Sequence, residues 1–169
     1  MPLEAEGEFA RGRQHLEQAI GKSGQPTKWG SIAHEHDLYA MLADAAAQER
    51  DEAALRQYTP LAEEFAVRDG HLLYQAITHR AWGVAKRLTG EYIESEARLN
   101  QALELFDGLG TRWQIGRTLF ELGELALTQT DAVRARDCYA RALTAFEGME
   151  AVPDAERTRV ALRSLSVNT

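Results

Sequence analysis

One cysteine and four prolines stand in 169 residues. A single thiol closes no intramolecular disulfide, which sets aside the small secreted class stapled by disulfides. Scarce proline, with glycines at regular spacings rather than in a flexible tract, leaves no linker to divide the chain. No apolar run approaches the length of a membrane span. Lys and Arg nowhere form a cluster, so the electrostatic footprint of direct nucleic-acid binding is missing. The opening Met-Pro-Leu-Glu-Ala-Glu-Gly-Glu has neither the basic stretch nor the apolar centre of a leader, and a cytoplasmic protein is the expectation.

What is present is ordinary for a folded domain: 44% hydrophobic and 27% charged residues. The net charge of −7 is uneven, because residues 1–70 hold 7 basic and 13 acidic groups against 12 and 13 in residues 71–169.

The chain repeats itself. Leu105-Phe-Asp-Gly-Leu-Gly110 returns forty positions later as Ala145-Phe-Glu-Gly-Met-Glu150, and the offset also relates Gly83 to Gly123, Ala102 to Ala142 and Leu103 to Leu143. From Asp131 to Met149 the positions Ala132, Ala135, Tyr139, Ala142, Phe146 and Met149 mark one helix face; forty earlier stand Tyr92, Ser95, Leu99, Ala102, Phe106 and Leu109. A degenerate earlier copy runs through Ala54, Tyr58, Leu61 and Phe65 with a one-residue slip. Breaks are predicted near Arg50, Gly70, Gly90, Gly110, Thr130 and Glu150, every twenty residues. Helices of roughly 18 residues joined by such short turns must run antiparallel to their neighbours.

The reading is one all-α body of about eight helices: a leading helix over 4–20, a loop at Gly21-Lys-Ser-Gly-Gln-Pro-Thr, helix pairs over about 29–69, 71–109 and 111–149, and a capping helix over about 152–166 that begins at Pro153-Asp154. Stacked units of this kind give an extended curved surface, which suits binding rather than catalysis.

The Leu122-Gly123 pair with Ala135, Tyr139, Ala142 and Leu143, and its counterpart Trp82-Gly83 with Gly90, Tyr92, Ser95, Leu99, Ala102 and Leu103, resemble the tetratricopeptide repeat. The resemblance covers about a hundred residues and implies a right-handed superhelical α-solenoid of antiparallel helix pairs. The period of forty and the missing closing proline depart from the usual repeat of about 34 residues. Longer repeats such as Leu109-Gly-Thr-Arg-Trp-Gln-Ile-Gly-Arg-Thr-Leu-Phe-Glu-Leu-Gly look similar to arrays in bacterial ATP-dependent transcriptional activators of the maltose-activator type. No Gly-rich phosphate loop or DNA-reading module accompanies them, so the chain reads as a fragment or a free-standing relative.

The resemblance further implies a concave groove lined by the first helix of each pair. Carried over position by position, that groove should expose Asp37, Met41 and Asp44; Arg80, Val84 and Arg87; and Trp113, Arg117, Phe120, Glu121 and Glu124. The Lys/Asn clamp of chaperone-binding relatives is absent, its places being held by residues such as Ala40, Asp44, Arg80, Val84, Phe120 and Glu124.

Arg80 and Arg87 share a helix face, with Arg117 at the corresponding edge of the next repeat. The three could receive an acidic peptide or a carboxylate, or form a solvated face paired with Glu121 and Glu124. His34 and His36 project roughly 200° apart on a helix and cannot share one metal ion. Trp29 and Trp113 each follow Thr-Lys or Thr-Arg at a helix start, where an aromatic can pack between repeats or stack on a ligand, while Trp82 reads as core. Cys138 has no His-Asp pairing to make it a nucleophile and reads as a semi-buried apolar residue. No enzyme constellation, metal site or cofactor is expected.

The expected function is a non-catalytic scaffold holding a protein or peptide segment in the groove. A metabolite or oligosaccharide sensor using Trp113, Arg117 and Phe120 is the alternative, and a homodimer through Val160, Leu162 and Leu165 of the terminal helix is a second.

Overall fold

A computed structural model describes residues 35–167, together with the isolated helical positions Gln14, His15 and Gln18. The remainder of the leading helix expected over 4–20, the loop after it, Trp29 and His34 lie outside the described residues. Among those described there are seven helices and no strand: α1 Glu35–Glu49, α2 Glu52–Arg68, α3 Leu72–Leu88, α4 Tyr92–Gly108, α5 Arg112–Thr128, α6 Ala132–Glu147 and α7 Val152–Val167. Consecutive helices pack on one another throughout, and α1 also packs on α3. The fold is an α-solenoid of antiparallel helix pairs.

Six turns of one kind set the spacing. Arg50, Gly70, Gly90, Gly110, Thr130 and Glu150 all have positive φ, twenty residues apart, at the six expected breaks. At each, the following residue donates its N–H to a carbonyl five positions back, as Asp51 does to Ala46 at 3.0 Å and Glu91 to Lys86 at 2.8 Å. The left-handed residue donates three positions back, as Gly70 does to Val67 at 3.1 Å. This pair of bonds satisfies helix-terminal carbonyls that would otherwise be orphaned. Asp51 and Asp131 start the next helices by accepting from the N–H groups of Ala54 and Arg134, each at 3.0 Å.

The second helix of each pair buries one repeated face. Leu55, Thr59, Ala62 and Ala66 of α2 correspond to Ser95, Leu99, Ala102 and Phe106 of α4 and to Ala135, Tyr139, Ala142 and Phe146 of α6; all twelve are 0% exposed. The forty-residue register therefore runs through α2 without the slip expected from Tyr58, Leu61 and Phe65. The physical reason is size: Thr59, Ala62 and Ala66 hold the core positions, whereas the larger Leu61 and Phe65 are only half-buried. Phe65 instead stacks on Tyr39 with ring centroids 5.2 Å apart.

Two glycines adjust the first helices to this face. A Cβ on Gly123 would meet the Tyr139 ring at 2.5 Å, and one on Gly83 would meet Leu99 at the same distance. The register puts Ala43 at the equivalent place in α1, opposite Thr59, where a smaller partner leaves room for a methyl group. Trp82 is half-buried against the core of α1 and α2, and its Nε1 donates to Glu63 at 2.8 Å. Cys138 is free and 5% exposed.

Candidate functional site

Helices α1, α3, α5 and α7 line one face. Side chains from α1 and α5 meet across α3 there, which makes it the inward-curving face.

Asp44 of α1 is its first centre. Arg117 of α5 grips this carboxylate with both terminal nitrogens, at 2.9 and 3.0 Å, and Arg80 of α3 donates to it at 2.8 Å. Arg80 is 1% exposed, lies over the Phe106 ring at 5.1 Å and donates weakly to the Gln114 carbonyl at 3.4 Å. Burial would raise the Asp44 carboxyl, but the charges and hydrogen bonds of Arg117 and Arg80 hold it well below the ordinary carboxylate range. Burial and the adjacent Arg117 bring the Arg80 guanidinium down to about 10.

Glu121 of α5 is the second centre. It accepts from Arg50 at 2.8 Å and from Arg87 of α3 at 3.2 Å. Burial pushes its carboxyl up, and the two arginines overcome that and depress it. Arg50 is the residue held in the left-handed region at the α1–α2 turn, with φ 58°, so a strained backbone position supplies the cation that reaches α5. Glu124, next along α5, accepts from the Tyr139 hydroxyl at 2.5 Å.

Toward α7 the arrangement alternates aromatic rings and guanidinium groups. Arg117 lies 4.7 Å from the Trp113 ring, and Arg157 of α7 lies 4.3 Å from the Phe120 ring. Trp113 Nε1 donates to Asp154 at 2.8 Å, tying α5 to α7.

Of the residues expected to be exposed in a groove, Arg80, Val84, Arg117, Phe120 and Glu121 are 1%, 1%, 5%, 5% and 7% exposed. The expectation of exposure is corrected for these five: the pairs among them are neither solvated nor open, because helices at this curvature bring the side chains into contact with one another. Asp44 and Arg87 are also largely covered, with 18% and 10% of their side chains exposed. Asp37 and Glu124 are half-buried, Asp37 serving as a hydrogen-bond partner of Tyr74. Only Met41 and Trp113 stand open. In the terminal helix Val160 is exposed, but Leu162 is half-buried and Leu165 buried, so the expected apolar face is reduced to one residue of the three. Arg50, Asp154 and Arg157 complete the face and were not among the expected residues. Arg157 stands forty positions after Arg117, so the repeat register itself carried the signal for it.

Among the described residues no group of three or more His, Cys, Asp or Glu is placed to hold a metal ion, and no helix is long and apolar enough to cross a membrane.

An all-helical solenoid whose first helices line an inward-curving polar face defines a helical-repeat protein. Residues 74–148 match the family model described as tetratricopeptide repeat. Among solved structures the chain is similar to the crystal structure of BtubC (BKLC) from P. vanneervenii, with a TM-score of 0.68 and 17% identity over 96% of this chain and 66% of that one. The chain thus spans just under two thirds of that chain's length, and the likeness is one of fold. No curated protein matches the sequence. Folds of this kind generally serve as scaffolds for protein interactions.

Proposed function

We propose that the protein is an interaction module that holds a protein or peptide segment along the face formed by α1, α3, α5 and α7, with the helix pairs over about 29–69, 71–109 and 111–149 as its repeats. The observation that carries this reading is the polar, arginine-rich make-up of that face in a chain of net charge −7. Five guanidinium groups, from Arg50, Arg80, Arg87, Arg117 and Arg157, converge on two buried carboxylates, Asp44 and Glu121. With Asp37, Glu124 and Asp154 on the same face its charges balance while the molecule as a whole is acidic, so complementary charges on a bound segment set its register there.

The reading separates the residues into two roles. Arg80, Arg117, Asp44 and Glu121 fix the curvature, while Met41, Trp113 and Arg157 are the accessible contacts. The metabolite-sensor reading is the weaker one, since the Trp113 indole N–H is already engaged by Asp154 and Phe120 lies covered beneath Arg157.

Photo-crosslinking from the source cell's lysate tests the proposal. A crosslinking amino acid at Met41 or Trp113 should yield a discrete protein adduct, and one at Ile93, which is 88% exposed on α4, should not. Adducts from Ile93 with none from the inner positions would overturn it.

A further inference from the structure

The same junction between helix pairs is built in two chemistries. Between the second and third pairs, Leu119 and Leu122 of α5 and Cys138 of α6 share an apolar cluster, with Leu103 of α4 packed against it. Forty positions earlier, between the first and second pairs, these four places hold Glu63 of α2, His79 and Trp82 of α3, and Arg98 of α4. One nitrogen of Arg98 donates to Glu63 at 2.5 Å and to His79 Nδ1 at 2.9 Å. Glu63 takes the Trp82 indole N–H on its other oxygen at 2.8 Å, and the Arg98 guanidinium lies 5.7 Å from the Trp82 ring. Arg98 and Glu63 thus tie α4 to α2 on the side away from the inner face.

His79 is the member of this latch that changes charge near neutrality. A guanidinium has donors and no acceptor, so the ring nitrogen facing Arg98 carries no proton, and His79 is the neutral Nε2–H tautomer. A proton added at Nδ1 would set donor against donor and a second cation beside Arg98. The charged groups that bear on His79 are Arg98 from α4 and Glu63 from α2; α1 and α5, which also pack on α3, contribute none among the described residues. Burial and Arg98 push the imidazole below its ordinary value, and Glu63 offsets only part of that. The folded protein therefore refuses a proton that the unfolded chain accepts. The latch gives its full stability above the ordinary histidine pKa of about 6.5 and loses it as pH falls through the lower folded value.

On the inner side the first pair is held by other contacts. Asp44 of α1 is bonded to Arg80 and Arg117, and Arg50 after α1 is bonded to Glu121. Both carboxylates are held below their ordinary range and stay ionised at a pH that protonates an imidazole. Mild acid therefore acts on one side of the junction. We propose that the junction between the first and second helix pairs is an acid-responsive hinge: protonation of His79 releases the outer latch while the inner ion pairs hold, so α2 swings away from α4 and the inner face curves more tightly. The next junction is apolar at the same four places, has nothing that titrates in this range and keeps its angle. The inference does not depend on what the inner face binds.

Spin-label distances on the full chain read the two junctions separately. In a Cys138→Ala background, labels at Gln57→Cys and Ala97→Cys span the first junction from exposed sites of α2 and α4. Labels at Ala97→Cys and Asp137→Cys span the second from the equivalent exposed sites of α4 and α6. From about pH 7.5 to about pH 4.5, a range that crosses the ordinary histidine value and stays above the ordinary carboxylate values, the 57–97 distance is expected to lengthen and the 97–137 distance to stay unchanged. His79→Asn offers an amide oxygen near the place of Nδ1 and no titrating ring, so it should keep the neutral-pH distance and abolish the acid response. In the unsubstituted chain the His79 ring resonance, identified by its loss in that variant, should titrate below about 6.5 by NMR. A 57–97 distance that does not move, one that moves equally in His79→Asn, or equal lengthening at both junctions would overturn the inference. A His79 ring that titrates at or above its ordinary value would overturn it whether or not the variant folds, because Arg98 would then not be holding the ring neutral.

Discussion

Asp44 and Arg117 stand 73 positions apart in the chain, yet both oxygens of the one meet both terminal nitrogens of the other, at 2.9 and 3.0 Å. The bond spans α1 to α5 and closes over Arg80 of α3, so three first helices are locked by one carboxylate. In a stack where units mostly touch their neighbours, this contact and that of Arg50 with Glu121 both skip one, and together they fix how tightly the inner face curves.

Removing that carboxylate leaves two guanidinium groups buried beside each other with their charge uncompensated. Asp44→Ala is expected to lower unfolding free energy by about 3–5 kcal/mol, the range for breaking a buried pair at one partner. Replacing all three together, Asp44→Leu with Arg80→Met and Arg117→Met, should recover most of the loss, because an apolar trio of similar volume needs no desolvation of charge. Urea denaturation of the two variants checks both. A triple variant as unstable as Asp44→Ala would show that the ion pairs are not the cause.

Acid should weaken the same contacts. Asp44 and Glu121 both have folded-state carboxyl groups depressed below their ordinary values. Each therefore contributes its full stability above the unfolded-chain pKa, about 4, and loses it as pH falls toward the folded value. Below about pH 4 the unfolded chain takes up protons that the folded protein refuses. Unfolding free energy should drop there by up to about 1.4 kcal/mol per pH unit for each group. Asp44→Asn should flatten that slope by one group, read from denaturation midpoints at a series of acid pH values. An unchanged slope would show that Asp44 does not titrate with folding.

The close approach of α5 and α6 rests on the missing side chain of Gly123. Alanine there gains about 1 kcal/mol of helix propensity but sets a methyl group 2.5 Å from the Tyr139 ring. Tyr139 is fully buried and its hydroxyl is held by Glu124, so the ring has nowhere to turn. Gly123→Ala is expected to destabilise by about 1–3 kcal/mol, as overpacking does. A thermal melt decides it, and a gain in stability would mean that the helices can separate without cost.

Turns were the most legible part of the structure, because a twenty-residue spacing of glycines exposes the helix ends directly, and Arg50, Thr130 and Glu150 could be placed by the same period without a glycine. The buried faces of α4 and α6 were legible too, since Leu99, Phe106, Tyr139 and Phe146 are large and apolar at helical spacing. In α2 the core positions hold Thr59, Ala62 and Ala66, which carry little hydrophobic signal, and the larger neighbours Leu61 and Phe65 pointed one residue astray. The inner face was half legible. Sequence spacing put Arg80, Arg87 and Arg117 on it, but not the burial of Arg80 and Arg117, because the contact of Asp44 with Arg117 depends on curvature, and curvature sums small rotations over several helices. Arg157 was visible only to a reader who carried the forty-residue offset into the last helix.

Thr59 marks where the degenerate repeat is least well satisfied. Its hydroxyl is fully buried and lacks a hydrogen-bond partner among the described residues, while the equivalent Leu99 and Tyr139 fill the same place with hydrocarbon or ring. Thr59→Val keeps the shape and removes the stranded hydroxyl. A gain of about 1 kcal/mol is expected from the desolvation no longer incurred. A loss of stability in denaturant titration would mean that the hydroxyl is satisfied in solution.

The turn at Thr130 holds a different reserve. Thr130 has φ 61° and is β-branched, so its Cβ, Cγ2 and Oγ1 atoms crowd a backbone region that glycine enters freely. The corresponding turns at 70, 90 and 110 use glycine at φ 65°, 83° and 66° and make the same pair of terminal hydrogen bonds, which shows that the backbone needs no side chain there. Thr130 offers only a hydroxyl bonded to the neighbouring Gln129 carbonyl at 2.6 Å, an exposed contact of little worth. The left-handed conformation costs a non-glycine residue roughly 1–2 kcal/mol, and part of the relief is lost because glycine raises the entropy of the unfolded chain by about 0.4–1 kcal/mol. Thr130→Gly should therefore stabilise by about 0.5–1 kcal/mol, and Gly110→Thr should destabilise by a similar amount. Matched shifts of opposite sign in the two denaturation midpoints would establish that all six turns share one backbone requirement. A destabilised Thr130→Gly would place that requirement in the side chain instead.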